Sequence, residues 1–393
     1  LIHVDRSQKL PIREKVMGKI SIGKYVAAAS VWLGAGLGVG MMSASTAVAD
    51  GNQVRIALNL PLSGPIAVVT IPYRDGLLMG LNDGAKQFNV PRDVFVMDIG
   101  DNAGEPKQAV TVMQQQMLKP FDVYFSGVSA QTRAVAPEID KTSAPHLLYA
   151  FDVGFTAGAA NRMRILPNFS LELPIYLAYA KSKGAKRVAA IHLNYASQTQ
   201  FFDEFFVPQL KQTGVEVMNE AYDIGTKDYS TLALKITAFK PDLVVLEGFS
   251  FNMLPMINAL RALDYIHDGN VLTGIDFNDL LYNKTPVDQI KGVAFASPLV
   301  ELPEGKQKAS DFDAQFKTQY KEDPSWPGAY GYDTARVIVA AYAKAHKVTV
   351  ESIESVMPFD GLVGKITLDK DRDINSTMGV GMVDAAGKVV AVK

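Results

Sequence analysis

The chain has no cysteine. That absence excludes a disulfide framework, Cys-ligated zinc or iron–sulfur centres, a thiol nucleophile and any lipid anchor built on cysteine. An excess of one charge is lacking too: 39 Lys and Arg stand against 41 Asp and Glu among 393 residues, with no basic block of the kind that grips a nucleic-acid backbone. Histidine is scarce. Beyond the N-terminal region only His146, His192, His267 and His346 remain, scattered without metal-ligand spacing, and they read as structural or surface residues. No G-x-S-x-G turn is present. Asp369, Asp371 and Asp373 imitate the start of a calcium loop, but Ile374 stands where glycine is needed and Val380 where the final Glu belongs, so a solvated turn is the simpler reading. What is abundant is apolar residues, 48% of the total, enough for a globular chain of about two domains.

Composition shifts sharply near the front. Lys15, Lys19 and Lys24 precede an apolar run from Tyr25 to Met42, and small residues follow, ending Ala47-Val48-Ala49. This three-part order is that of a secretory signal, and residues 1–49 are read as a signal peptide with an upstream extension, cleaved after Ala49. Gly34, Gly36, Gly38 and Gly40 lower the helix propensity of the run, which favours cleavage over a retained anchor. Loss of this segment removes six basic residues (Arg6, Lys9, Arg13, Lys15, Lys19, Lys24) and two acidic ones (Asp5, Glu14), leaving 33 against 39. With no lipidatable cysteine and no second run of about 18 apolar residues, the exported chain is expected free in the periplasm, and monomeric.

From Val54 onward short β-branched runs alternate with longer amphipathic ones, the signature of parallel sheets wrapped by helices. Strands are expected at 54–60, 94–98, 123–126 and 146–149, with helices at 73–88, 105–118 and 131–142. A turn-rich segment, 152–160, interrupts the rhythm. A second series follows, with strands at 188–192, 215–222, 243–247, 271–273 and 293–296 and helices near 171–183, 198–211, 230–239 and 253–263. Two helices, 306–321 and 327–344, then precede a strand-rich tail at 365–368, 377–384 and 388–392. The expected fold is α/β: two doubly wound parallel-sheet lobes joined by a hinge that the chain crosses several times. Lobe I is assigned 50–168 plus 299–362 and lobe II 169–298 plus 363–393, with a cleft between them.

Open parallel sheets bind ligands beyond the carboxyl ends of their strands. The loops at 60–70, 127–131, 150–155, 193–198, 247–251 and 274–278 are therefore the candidate rims. They carry Phe151, Phe155, Tyr195, Phe249, Phe251 and Phe277, an aromatic supply suited to an apolar guest. Tyr195 and Phe249 are preferred because each follows a strand end directly, whereas Phe201, Phe202, Phe205 and Phe206 fall inside a helical pattern and read as core. Each polar candidate has a second reading: Asp276 as a helix cap, Asp152 as an Asx-turn acceptor, Ser129 as the cap of the following helix, Glu247 as a charge paired with a neighbour.

Several local motifs carry a resemblance. They are Val54 to Pro65 (VRIALNLPLSGP), Asp101 to Ala109 (DNAGEPKQA), Asp228-Tyr229-Ser230 before a helix, and Tyr330-Gly331-Tyr332-Asp333 opening another. In this order and spacing the chain resembles the type I solute-binding proteins of ABC importers, in particular the branched-chain amino acid and amide group. The resemblance implies a non-enzymatic receptor, without cofactor or metal, that closes on a small solute and presents it to the permease subunits and ATPase of an importer. It further implies that the loop Ser129-Ala130-Gln131 holds a carboxylate, and that Asp152 to Gly154, next to Phe151, and Asp276 hold an ammonium. The chain departs from that pattern at Phe151-Asp152-Val153-Gly154 and at Asn194-Tyr195-Ala196-Ser197-Gln198. An aromatic or otherwise apolar carboxylate therefore stands as an alternative guest, and a ligand-sensing receptor without a transport role as an alternative use of the fold.

Overall fold

A computed structural model of the chain describes residues 53–392 apart from Asp268; the expected signal segment and its cleavage point lie outside the described residues. The first sheet is built from β1 (Val54–Leu60), β2 (Phe95–Asp101), β3 (Val123–Gly127), β4 (His146–Tyr149) and β5 (Arg162–Met163), in the order β2-β1-β3-β4-β5 and parallel throughout. Its crossovers are α1 (Ala67–Gln87), α2 (Pro106–Gln116) and α3 (Ser129–Ile139). Pro106 opens α2, where its missing N–H costs nothing. β1, β3 and β4 are almost wholly buried, as their unbroken apolar character requires when helices cover both faces.

The chain then leaves this lobe through α4 (Phe169–Ser182), whose N-cap Asn168 accepts from the Ser170 amide. The second sheet follows as β6 (Arg187–Leu193), β7 (Glu216–Tyr222), β8 (Leu243–Leu246), β9 (Val271–Thr273) and β10 (Ala294–Pro298). Between them lie α5 (Ala196–Gln200), α6 (Val207–Gln212), α7 (Ser230–Phe239), α8 (Ser250–Arg261) and α9 (Asn278–Tyr282). A single helix expected over 198–211 is in fact α5 and α6 joined by a π-helical turn, Phe201–Phe206, which buries Phe201, Phe202 and Phe206 completely. A further helix expected over 306–321 breaks at Ala309 into Pro303–Lys308 and Ser310–Tyr320.

After β10 the chain returns to the first lobe, where the long helix Ser325–Ala345 packs along α1. The two backbones touch: a Cβ on Gly76 would stand 2.0 Å from the Gly328 carbonyl oxygen, so only glycine permits this crossing. A small antiparallel sheet of β11 (Phe359–Gly361), β12 (Gly364–Leu368) and β13 (Ile374–Asn375) follows. Finally β14 (Met378–Val383) and β15 (Val389–Val392) rejoin the second sheet antiparallel, giving β15-β14-β10-β9-β8-β6-β7. The result is two α/β lobes joined by a multiply crossing hinge, the fold the alternation of runs implied.

One buried polar knot fastens the crossings. Arg164, fully buried, donates through Nε to Asp373 Oδ1 at 2.8 Å and pairs through Nη2 with Asp373 Oδ2. Its Nη1 donates to the carbonyl oxygens of Ala150 (2.6 Å) and Asp152 (2.9 Å), tying the loop after β4 to the segment before β13. Asp369, the first carboxylate of the false calcium loop, instead accepts the amides of Asp371 and Asp373. Asp373 thereby becomes the anchor of the Arg164 knot.

Candidate functional site

The strand ends of both sheets face one cavity. It is lined by Val69 from the start of α1, Val128 and Ser129 after β3, and Tyr149 and Phe151 at the end of β4. From the other side come Tyr195, Ser197 and Gln198 after β6, Glu247 and Phe249 after β8, and Ile275 and Asp276 after β9, with Phe169 of α4 at the seam. This is the arrangement that open parallel sheets impose. Aromatic rings fill most of the walls: Phe151 lies 5.4 Å from Phe169 and 6.0 Å from Trp326, and Tyr195 lies 6.0 Å from Phe249. The space left over is about 30 Å³, room for about two or three waters.

The lobes touch at the rim. The Ala130 amide donates to Tyr195 Oη at 3.2 Å, the Tyr195 hydroxyl donates to Gln131 Oε1 at 3.3 Å, and Arg133 Nη2 reaches Gln200 Oε1 at 3.5 Å. The molecule is in its closed form, with the rings packed inward.

Of the residues singled out by sequence, Ser129, Phe151, Tyr195, Phe249 and Asp276 line this cavity, and Ala130 and Gln131 meet Tyr195 at its edge. Ser129 is not a cap: it is the first helical residue of α3, and its Oγ accepts the Phe151 amide at 3.0 Å, which pins the two first-lobe loops together. Asp152 is turned away from the cavity into an ion pair with Arg133. Gly154 takes a positive φ of 69° in an open turn outside the cavity lining. Asp276 caps no helix; it sits within a short 3₁₀ turn, Ile275–Phe277, and stays partly open toward the cavity. Phe277 is fully buried against Phe295, and Phe155 lies under the Arg162 guanidinium. His146 is a core residue with Nε2 2.6 Å from Ser126 Oγ, held neutral by burial that pushes it down to about 3.

Sequence reading left Glu247 undecided and passed over Glu172 and Tyr176, which dominate the electrostatics. Glu172 and Tyr176 lie one turn apart on α4, fully buried, and Tyr176 Oη donates to Glu172 Oε2 at 2.5 Å. The same hydroxyl is hydrogen-bonded with Glu247 Oε1. Glu247 fits because position 274 is glycine: a Cβ there would stand 1.9 Å from Glu247 Oε1. Burial raises Glu172 to about 7. Burial, then the Glu172 charge, pushes Asp276 up to about 8 and holds Glu247 well above the carboxylate range. Among the described residues, no Lys, Arg or His lines the cavity. Gln198 Oε1, also in its wall, is buried without a donor. The polar part of the second-lobe wall thus combines two carboxyl groups, Glu247 and Asp276, with the Gln198 oxygen. The i, i+4 spacing of Glu172 and Tyr176 in the sequence was a legible signal, since a buried Glu needs a partner on its own helix face.

A profile of the periplasmic binding protein family matches residues 53–388. The Leu/Ile/Val-binding protein BraC3 of Rhizobium johnstonii is 24% identical over 356 residues, covering 87% of this chain and 94% of that protein. The leucine-binding protein LivK of Thermotoga maritima shares the fold with a TM-score of 0.71 at 20% identity, over 86% of this chain and 98% of that one. A solute-binding protein of an ABC transporter from Rhodopseudomonas palustris, solved with 3,4-dihydroxybenzoic acid, matches with a TM-score of 0.74 at 19% identity, over 87% and 96% of the two chains. With its two lobes, its facing strand ends and a profile match across nearly all the described residues, the chain belongs to the periplasmic binding protein family.

Proposed function

We propose that this protein captures an α-amino acid with an apolar side chain, branched-chain amino acids being the first candidates, and hands it unchanged to the permease of an ABC importer. One observation carries the choice of guest: two carboxyl groups, Glu247 and Asp276, face a ring-lined cavity to which the described residues contribute no cationic side chain. An ammonium group answers that demand, because a desolvated cation and a desolvated carboxylate are each costly without the other. The guest carboxylate is assigned to the Ser129 hydroxyl and the Ala130 amide at the start of α3. Its side chain is assigned to Phe151, Phe169 and Phe249. A leucine-sized solute has more atoms than the two or three waters the closed cavity admits, so uptake requires the lobes to part and the rings to re-pack.

The aromatic walls support a second reading, an aromatic carboxylate, and the likeness to the dihydroxybenzoate-bound protein favours it. Native mass spectrometry of protein purified from its own cell separates the two. A co-purified amino acid supports the first reading, an amine-free aromatic acid replaces it with the second, and conversion of the solute on incubation overturns the receptor role altogether.

We further propose that the chain acts as a periplasmic monomer beginning at Asp50, with lobes divided at 168, 298 and 362. The charged, apolar and small-residue succession up to Ala49 supports the export and the start at Asp50. N-terminal sequencing of the periplasmic form tests the cleavage point, and light scattering tests the monomer.

A further inference from the structure

The cavity's inner wall has more carboxyl groups than hydrogens to share among them. The Tyr176 hydroxyl touches both Glu172 and Glu247, yet a phenol carries a single proton. It donates to one carboxyl only, so the other contact needs a hydrogen from a carboxylic acid. The Ile275 amide reaches Glu172, but no neighbouring side chain among the described residues supplies the hydrogen for the second contact of the phenol. Tyr222 of β7 commits its hydroxyl to the Glu247 backbone oxygen at 2.7 Å. From the 3₁₀ turn comes Asp276, another acid, and beyond it on α9 stands Asp279, buried with Oδ2 unpartnered and raised by burial and then by the Asp276 and Glu301 charges. The first cation along this row is Lys306, whose Nζ lies 3.6 Å from Glu301 Oε2. Across the cavity the first lobe offers the neutral phenol of Tyr149, and at the rim Tyr195 meets Ala130 and Gln131 while Arg133 is paired with Asp152.

We propose that the empty cleft stores at least one proton among Glu172, Tyr176 and Glu247, and that the solute's ammonium group enters in exchange for it. The proposal rests on the amino-acid reading given above. In the exchange the O–H bond of the carboxylic acid breaks and its proton passes to solvent water. The ammonium, its own hydrogens intact, becomes the partner of the carboxylate left behind. At this wall one positive charge takes the place of another, while the solute's carboxylate brings one negative charge that the Ser129 hydroxyl and the Ala130 amide meet. Capture then strengthens up to about tenfold per pH unit for each proton released, for as long as the empty cluster remains protonated. Burial raises Glu172 to about 7 and displaces Glu247 in the same direction, so the window reaches neutral pH.

The test is titration calorimetry of the purified protein with L-leucine, L-phenylalanine and benzoate, each in phosphate and in Tris at pH 7, buffers whose heats of ionisation differ. An amino acid that binds with release of about one proton supports the exchange. Glu172→Gln removes one of the two carboxyls that share the proton and should lower that count; an unchanged count overturns the proposal. Binding of an amino acid with no proton released by the unmodified protein overturns the exchange and leaves the amino-acid reading standing. Binding of benzoate alone, or of none of the three, overturns that reading and the exchange with it. Infrared spectroscopy of the empty, unmodified protein gives an answer independent of any variant. A protonated-carboxyl stretch at neutral pH is expected, and a spectrum without one overturns the stored proton.

Discussion

Raising the pH from 6.5 to 8.5 should destabilise the unliganded protein. In the unfolded chain Glu172 and Asp276 are ionised across this range, whereas in the folded protein burial holds them protonated up to about 7 and about 8 respectively. Folding therefore takes up protons, and a group whose folded value is raised contributes stability that is lost as pH climbs through that value. With about 1.4 kcal/mol per pH unit per proton, the two groups together cost roughly 2–3 kcal/mol over the interval. For a chain of this size that is a fall in Tm of roughly 5 °C. The lower limit of the window matters. His146 and His192 are buried in their neutral forms and displaced downward, so they act in the opposite sense, adding stability as pH rises toward 6.5, and become silent above it. Calorimetry or circular dichroism at half-unit steps, with saturating solute as the comparison, reads the effect. A Tm that is flat or rising between pH 6.5 and 8.5 in the empty protein refutes the reasoning.

Three further outcomes are expected. Glu247→Gln removes the charge proposed to meet the ammonium and should weaken an amino-acid ligand by about 2 kcal/mol or more, roughly thirtyfold, by calorimetry; unchanged affinity would return Glu247 to a purely structural role. Gly274→Ala places a methyl group on the Glu247 carboxyl and should lower affinity by at least about tenfold with about 1–3 kcal/mol of destabilisation, and an unaffected binding isotherm would contradict the close approach. Arg164→Ala leaves the Asp373 carboxylate buried without its guanidinium and should cost about 3–5 kcal/mol in chemical denaturation; a loss under about 1 kcal/mol would show that the hinge does not depend on the knot.

The architecture was readable because parallel sheets buried on both faces leave a coarse signal. Continuous runs such as Val54 to Leu60 and Leu243 to Leu246 have no other comfortable home. The rim loops followed from those strand ends, which is how Tyr195 and Phe249 were reached, whereas Ser129 and Asp276 were singled out by the family resemblance. What the sequence concealed was pairing at a distance. Arg133 reaches Asp152 across 19 positions, and Arg164 reaches Asp373 across 209; no local spacing announces either, so Asp152 looked available when it was already taken. The π-helical turn at 201–206 was hidden for a different reason, since π and α turns share one apolar periodicity to within a residue. Glu247 sat at the end of a buried strand, where only the neighbouring chain decides whether a carboxyl is neutralised or left facing a void.

With the rims in contact, the Tyr195 hydroxyl occupies the amide of Ala130. A helix N-terminus prepared for an incoming anion is thus provisionally satisfied by the protein's own phenol, bridging from the opposite lobe. Any arriving carboxylate competes with that internal substitute, so observed affinity measures an exchange of partners and not the worth of the new contact alone.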